Sequence, residues 1–198
     1  MPRPSQTDEQ RERLLPVVAR AFAELGYRRT TTAELARRCR VRENILYRLW
    51  RDKKAMFVAS IEFVYDASET IWRGLLAERD DAAPAAQRLL RFEADHYGES
   101  GLYRLIFAGL SETDDSEIRK ALARMYGRFH RFIDRQIEVY RGGKGAPRGP
   151  DSVLSAWGVI GLGTVANIVQ ELGLLSAARR RHFIAEVGSL LVAGTMEG

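Results

Sequence analysis

Between Thr31 and Lys54 the chain places two adjacent hydroxyls, Thr31 and Thr32, together with Asn44, Tyr47 and eight cations: Arg37, Arg38, Arg40, Arg42, Arg48, Arg51, Lys53 and Lys54. Hydroxyls and cations at this density suit phosphate oxygens. Asn44 and Arg48 are types that can pair bidentately with base edges in a major groove. The charge is concentrated here as well. Residues 1–54 hold 14 Lys and Arg against 7 Asp and Glu, while the remainder holds 17 against 19, for a net charge of +5. Nucleic acid is the expected partner of such a segment. A solvated basic face with no partner has the same composition, and charge by itself leaves both readings open.

Other chemistries find little footing. There is no Gly-rich phosphate loop, no G-x-S-x-G elbow, and no His and carboxylate set at metal-binding spacing. His96, His130 and His182 each lack a neighbour at ligand spacing. The single cysteine, Cys39, excludes an intrachain disulfide and a structural zinc, and reads as a small packing residue. No enzyme activity, cofactor or metal is expected. The polar start MPRPSQTDEQRER has no apolar run to act as a signal, so a cytoplasmic location is the default expectation.

The elements that must hold these residues all read as helix, so the expected fold is all-α. A first helix is predicted from a capping box at Thr7–Gln10 to Gly26, with Pro16 expected to kink it unless the helix begins later. A second capping box at Thr31–Glu34 opens a short helix that breaks near Arg40-Val41. A third short helix spans Glu43–Leu49, and Asp52 is the predicted cap of a long fourth. A turn at Arg79–Ala82, a helix to about Tyr97, a break at Gly98–Gly101 and a short helix Leu102–Leu110 follow. A long helix then opens at Thr113–Glu117, and a loop is predicted at 142–150. Residues Ser152–Gln170 carry no charge and read as a helix packed on most sides.

Three short helices within about 50 residues, with a tight break between the second and third, fit a helix-turn-helix. The stretch Leu14–Phe57 resembles the DNA-binding domain of the TetR family of repressors. The resemblance is carried by Phe22 before Gly26-Tyr27, then Thr31-Thr32, Leu35-Ala36, Val41, Leu46-Tyr47, Trp50 and Lys53. It implies an N-terminal DNA-binding domain, 1–52, and a C-terminal ligand-binding and dimerisation domain, 53–198. It further implies that Thr31 or Thr32 caps the second helix and touches phosphate. Tyr47 would pack inward and offer its hydroxyl to phosphate, and Lys53 would bind phosphate. Arg42, Glu43, Asn44, Ile45 and Arg48 would face the groove. Three positions depart from the family pattern. Arg40 replaces the usual turn Gly, Arg42 the usual capping Ser, and Leu49 a frequent His.

The resemblance also implies a small-molecule effector bound in the second domain. Trp72, Phe92, His96, Tyr103, Phe107, Tyr126, Phe129 and Asn167 are the candidate lining, although the same aromatics would equally make a plain helical core. The last two helices, 151–172 and 176–195, are expected to pair with their symmetry mates in a homodimer, with Gly161 and Gly163 allowing close approach. The function implied is a repressor of a near-palindromic operator, released by a small, largely apolar effector. The departures at Arg40, Arg42 and Leu49 motivate a rival, a helical ligand-binding protein with weakened or lost DNA binding.

Overall fold

The computed structural model describes residues 5–77, 84–142 and 151–194. Among these residues there are nine helices and no strand. They are α1 Gln6–Arg29, α2 Thr32–Cys39, α3 Glu43–Leu49, α4 Lys53–Ala77, α5 Ala85–His96, α6 Tyr103–Leu110, α7 Ser116–Gly142, α8 Ser152–Glu171 and α9 Ala177–Ala193. The expected all-α class is what the chain adopts. The turn expected at Arg79–Ala82 and most of the loop expected at 142–150 lie outside the described residues.

Ser5, not Thr7, opens α1. Its backbone is extended, its Oγ accepts from the Asp8 amide at 3.2 Å, and its hydroxyl donates to Asp8 Oδ2 at 2.7 Å. The cap and its acidic partner thus sit two residues before the predicted pair. Pro16 does not kink the helix. The one non-helical residue inside α1 is Gly26, with φ 76° and ψ 165°. Pro16 and Glu12 are both exposed, so the carbonyl that loses its donor lies on the solvent side. The predicted caps at Thr31 and Asp52 form. Thr31 Oγ1 accepts from the Glu34 amide at 3.2 Å, and Asp52 Oδ1 accepts from the Ala55 amide at 2.7 Å.

The chain divides into two compact units, and the divisions fall within α4, between Glu99 and Ser100, and within α7. The first unit comprises Met1–Ala67 and Ser100–Met125. Its core is built from the inward faces of α1, α4, α6 and the start of α7: Val18, Phe22, Phe57, Ile61, Leu105 and Ile118 are almost fully buried. Phe22 meets Phe57 edge-on at 5.0 Å, and Tyr27 meets Phe57 at 4.7 Å. Each buried aromatic removes enough apolar surface from water to contribute roughly 1.5–3 kcal/mol. Leu35 of α2 and Leu46 of α3 are fully buried where these two helices pack on α1 and on each other.

The second unit comprises Ser68–Glu99 and Tyr126–Gly198. Ala86, Ile137, Ala156 and Val192 form one buried cluster, and Ala94, Ala166 and Ile184 another, with Leu90 and Tyr97 against it. Buried Arg141 ties three helices together. Its Nε donates to Val192 O at 3.0 Å, and its Nη2 donates to Leu191 O and to Ser155 Oγ, each at 2.8 Å. Gly163 gives room to the Tyr97 hydroxyl, which a Cβ would strike. Its absent side chain is therefore used inside the unit, whereas Gly161 is exposed and faces open space.

Candidate functional site

The turn between α2 and α3 carries the first departure noted in the sequence. Arg40 adopts the left-handed conformation, φ 54° and ψ 42°, and its amide donates to Ala36 O and Arg37 O. It is the one non-glycine residue at positive φ among the described residues. A Cβ there costs about 1–2 kcal/mol, which glycine would not incur. The second departure is equally visible. Arg42 stands at the N-cap of α3 with extended backbone and makes no side-chain cap bond.

Helix α3 divides cleanly. Leu46 and Leu49 are buried, Ile45 is half-buried, and Arg42, Glu43, Asn44, Tyr47 and Arg48 are exposed. Tyr47 is not packed inward as expected, being 49% exposed. Its hydroxyl donates to Thr32 Oγ1 at 3.3 Å, and Thr32 in turn donates to Glu43 Oε2 at 2.8 Å. The acid that looked out of place near a groove therefore pins the start of α3 to the start of α2. Arg48 donates to Gln10 Oε1 at 2.7 Å, over an open cleft lined by Gln6, Thr7, Glu9, Gln10 and Arg13.

Behind this face two cations act inside the protein. Arg11 donates from Nε and Nη2 to the Leu49 carbonyl, at 3.1 and 2.9 Å, closing the end of α3. Lys53 Nζ donates to Tyr27 O and Thr30 O, both at 3.2 Å, and lies 4.5 Å over the Tyr27 ring. The expected phosphate-binding lysine is thus also the cap of α1. Arg11 carried no signal in the sequence, because its partner is a backbone carbonyl 38 residues away.

Several of the remaining cations already hold carboxylates. Glu34 pairs with Arg37 and Arg38, each at 2.7 Å, and Arg38 also meets Glu24. Hydrogen bonds from Arg37 and Arg38 lower the Glu34 pKa to about 2. Arg51 pairs with Asp52 at 2.9 Å and Glu117 at 3.4 Å, and Lys54 with Asp115 at 3.1 Å and Glu117 at 3.0 Å. Asp52 is held below its ordinary range first by the Ala55 amide and then by Arg51. Arg40 and Arg42 are exposed and form no ion pair among the described residues.

Residues 15–60 match the family model described as bacterial regulatory proteins, tetR family. The match spans α1 from Leu15 onward, α2, α3 and the start of α4, so it is this segment that is similar to the tetR family. Solved structures extend the likeness of fold over nearly the whole chain. NemR of E. coli in its reduced form superposes with a TM-score of 0.77 at 18% identity, covering 95% of this chain and 100% of that one. FadR of Bacillus subtilis, solved with stearoyl-CoA, gives 0.70 at 15%, covering 93% and 99%. A protein of Saccharomonospora viridis, solved with choline, gives 0.75 at 18%, covering 90% and 95%. No curated protein matches the chain. Within the matched segment, α2 and α3 form a helix-turn-helix and Arg40 occupies its turn.

The candidate effector residues fall into both units. In the second, Trp72 is buried and flanked by Phe129 at 5.5 Å and Phe132 at 4.7 Å. Its indole N–H donates to Glu93 Oε1 at 2.6 Å. Asn167 is buried and donates to the Tyr97 hydroxyl at 3.2 Å. His96 is exposed, stacked on Phe92 at 4.4 Å with Nδ1 3.0 Å from the Phe92 carbonyl. Tyr103 and Phe107 belong to the first unit and meet edge-on at 6.0 Å. Sequence reading passed over Glu93, although it falls on the apolar face of α5, three residues after Leu90 and four before Tyr97.

Proposed function

We propose that the chain is a dimeric repressor that binds a near-palindromic operator through α3 and is released from it by a small effector. The observation that carries this reading is the exposed face of α3. Asn44 and Arg48 can read base edges, Thr31 and Tyr47 are exposed hydroxyls suited to phosphate, and Arg42 and Arg40 add exposed charge that pairs with no carboxylate among the described residues. Residues 1–52 would supply the DNA contacts and 53–198 the effector and dimer contacts. Its action is binding rather than catalysis, and its place is the cytoplasm, with the DNA.

The dimer reading rests on α8. This helix is long and apolar enough to span a membrane by composition, with a mean hydropathy of 1.6, yet its exposed side is a stripe and not a belt. Leu154, Trp157, Gly161, Val165, Ile168 and Leu172 recur every three or four residues along the solvent side, and Leu190 of α9 is also exposed. A contiguous apolar stripe on a water-soluble helix is better covered by a second copy than left wet.

The effector would lie among Trp72, Phe92, His96, Tyr126, Phe129 and Asn167. Two proteins of the same fold were solved with stearoyl-CoA and with choline, so the scaffold admits small molecules of unlike character. Binding must favour a state whose α3 no longer fits the groove.

A second reading, weakened DNA binding, is favoured by one observation. Arg37, Arg38, Arg51 and Lys54 already face carboxylates, which reduces the charge left for phosphate. Selection of genomic fragments by the purified protein, repeated with Tyr47→Ala and Arg48→Ala, separates the two. A palindromic site weakened by both substitutions supports the repressor. Binding that ignores them, or no site at all, supports the rival.

A further inference from the structure

The second unit contains a group of acceptors that its own donors leave unfilled. Asn167 is 8% exposed, and its Oδ1 has no hydrogen-bond partner among the described residues; its amide N–H is spent on Tyr97. One helical turn along α8, the Gln170 Oε1 is buried and equally unpartnered, packed against Gly98. Glu93 is the third. Its carboxylate receives one hydrogen bond, from the neutral Trp72 indole, and forms no ion pair among the described residues. The Tyr97 hydroxyl connects them, since it accepts from Asn167 and lies within the field of Glu93.

A carboxylate withdrawn from water without a cation is costly, and an orphan buried acceptor costs a further hydrogen bond. Desolvation raises the Glu93 pKa accordingly, opposed by the Trp72 hydrogen bond and by the charge of His96 one turn on. Burial also raises the Tyr97 pKa, with Glu93 adding to it. What such a cluster lacks is a cation in contact with its carboxylate, and N–H donors. The aromatic residues beside it supply the other half of a recognition surface, because Trp72, Phe129 and Phe132 lie together and ring faces attract cations.

The geometry points to an effector that is an organic cation, with a protonated or quaternary nitrogen set against Glu93 and the Trp72 cluster and, where it carries N–H groups, donating to Asn167 Oδ1. This rests on reading the second unit as an effector domain, and it gives the largely apolar effector a charged head. Glu93 supplies the counter-charge, Trp72 orients its carboxylate, and Tyr97 holds the Asn167 amide so that its oxygen is presented.

The test uses two probes of one shape, phenyltrimethylammonium and tert-butylbenzene, titrated into the full chain and followed by ligand-observed NMR. The cation is expected to bind at least about tenfold more tightly than its neutral twin. Glu93→Gln is expected to abolish that preference with tert-butylbenzene still bound and the thermal midpoint no lower than the parent's, since a desolvated carboxylate is removed. Asn167→Leu is expected to weaken a primary ammonium, benzylammonium, more than the quaternary probe, which has no N–H to donate. Equal affinity for the twins, a preference that survives Glu93→Gln, or no saturable cation binding overturns the proposal. Failure here with tert-butylbenzene still bound leaves the apolar-effector reading standing. Absence of an operator would sink the repressor reading without touching the cation preference.

Discussion

Arg11 and Leu49 are joined by two hydrogen bonds from one guanidinium to one carbonyl, at 3.1 and 2.9 Å. A seven-residue helix cannot satisfy its own last carbonyls, so α1 supplies the missing donor to α3. The orientation of the exposed α3 face is therefore partly set by a residue on another helix. Arg11→Ala is expected to cost about 1 kcal/mol of stability, a charged hydrogen bond discounted for its partial exposure. It should also weaken operator binding although Arg11 is not among the proposed DNA contacts. Thermal melts and titration of operator DNA measure the two effects, and an unchanged operator affinity would show that α3 is held by its other contacts alone.

Arg40 and Arg42 invite opposite outcomes in stability and binding. Arg40→Gly relieves the left-handed Cβ and is expected to stabilise the protein by about 1 kcal/mol. Arg42→Ser restores a side-chain acceptor at the start of α3 and is expected to add a similar amount, roughly 1 kcal/mol. Each removes an exposed cation and should lower affinity for DNA. Chemical denaturation and a salt titration of binding on each variant test the pair.

Glu34 couples acid stability to free charge. Its folded pKa is depressed to about 2, with hydrogen bonds from Arg37 and Arg38 as the leading causes. A depressed carboxylate contributes fully above its unfolded pKa and loses that contribution as pH falls through the folded value. The window is thus from about 4.5 down to about 2. Glu34→Gln should flatten the thermal midpoint across that window. It should also free Arg37 while Arg38 keeps Glu24, steepening the salt dependence of DNA binding by about one counterion. A slope identical to the parent's would mean that Arg37 does not reach phosphate.

Lys53 is expected to report twice. Lys53→Met removes the donor to Tyr27 O and Thr30 O and the cation over the Tyr27 ring, at an expected cost of about 1–2 kcal/mol. A residue serving phosphate alone would leave the thermal midpoint of the DNA-free protein unchanged. Calorimetry of the protein with and without operator separates the structural share from the binding share.

The stripe on α8 yields a prediction about assembly. Trp157→Asp and Leu154→Asp place a charge where the proposed partner copy packs. Both side chains are exposed in the single chain, so the fold should survive. Sedimentation should show a shift from dimer to monomer, and a parent protein already monomeric at micromolar concentration would remove the dimer from the proposal.

What the sequence made legible were features written in local spacing. The helices, the Thr31 and Asp52 caps and the uncapped Arg42 follow from residues within one turn of each other. Pro16 misled because its effect depends on which side of the helix faces water, and here the exposed side bears the loss. Tyr47 misled because its hydroxyl partner, Thr32, lies on another helix and draws the ring outward. Glu93 was hidden by its neighbours Arg91 and Asp95, which make the segment look like an ordinary solvated face. Its register with Leu90 and Tyr97 was the available clue.

The left-handed arginine has a genetic side. Every arginine codon becomes a glycine codon by a change of its first base alone, so the strained and relaxed forms of this turn lie a single nucleotide apart. A population of this gene selected only for heat resistance, with no demand for DNA binding, should cross that gap early. A population held to its operator should not. The codon at position 40 is therefore a readable record of which pressure the protein has been under.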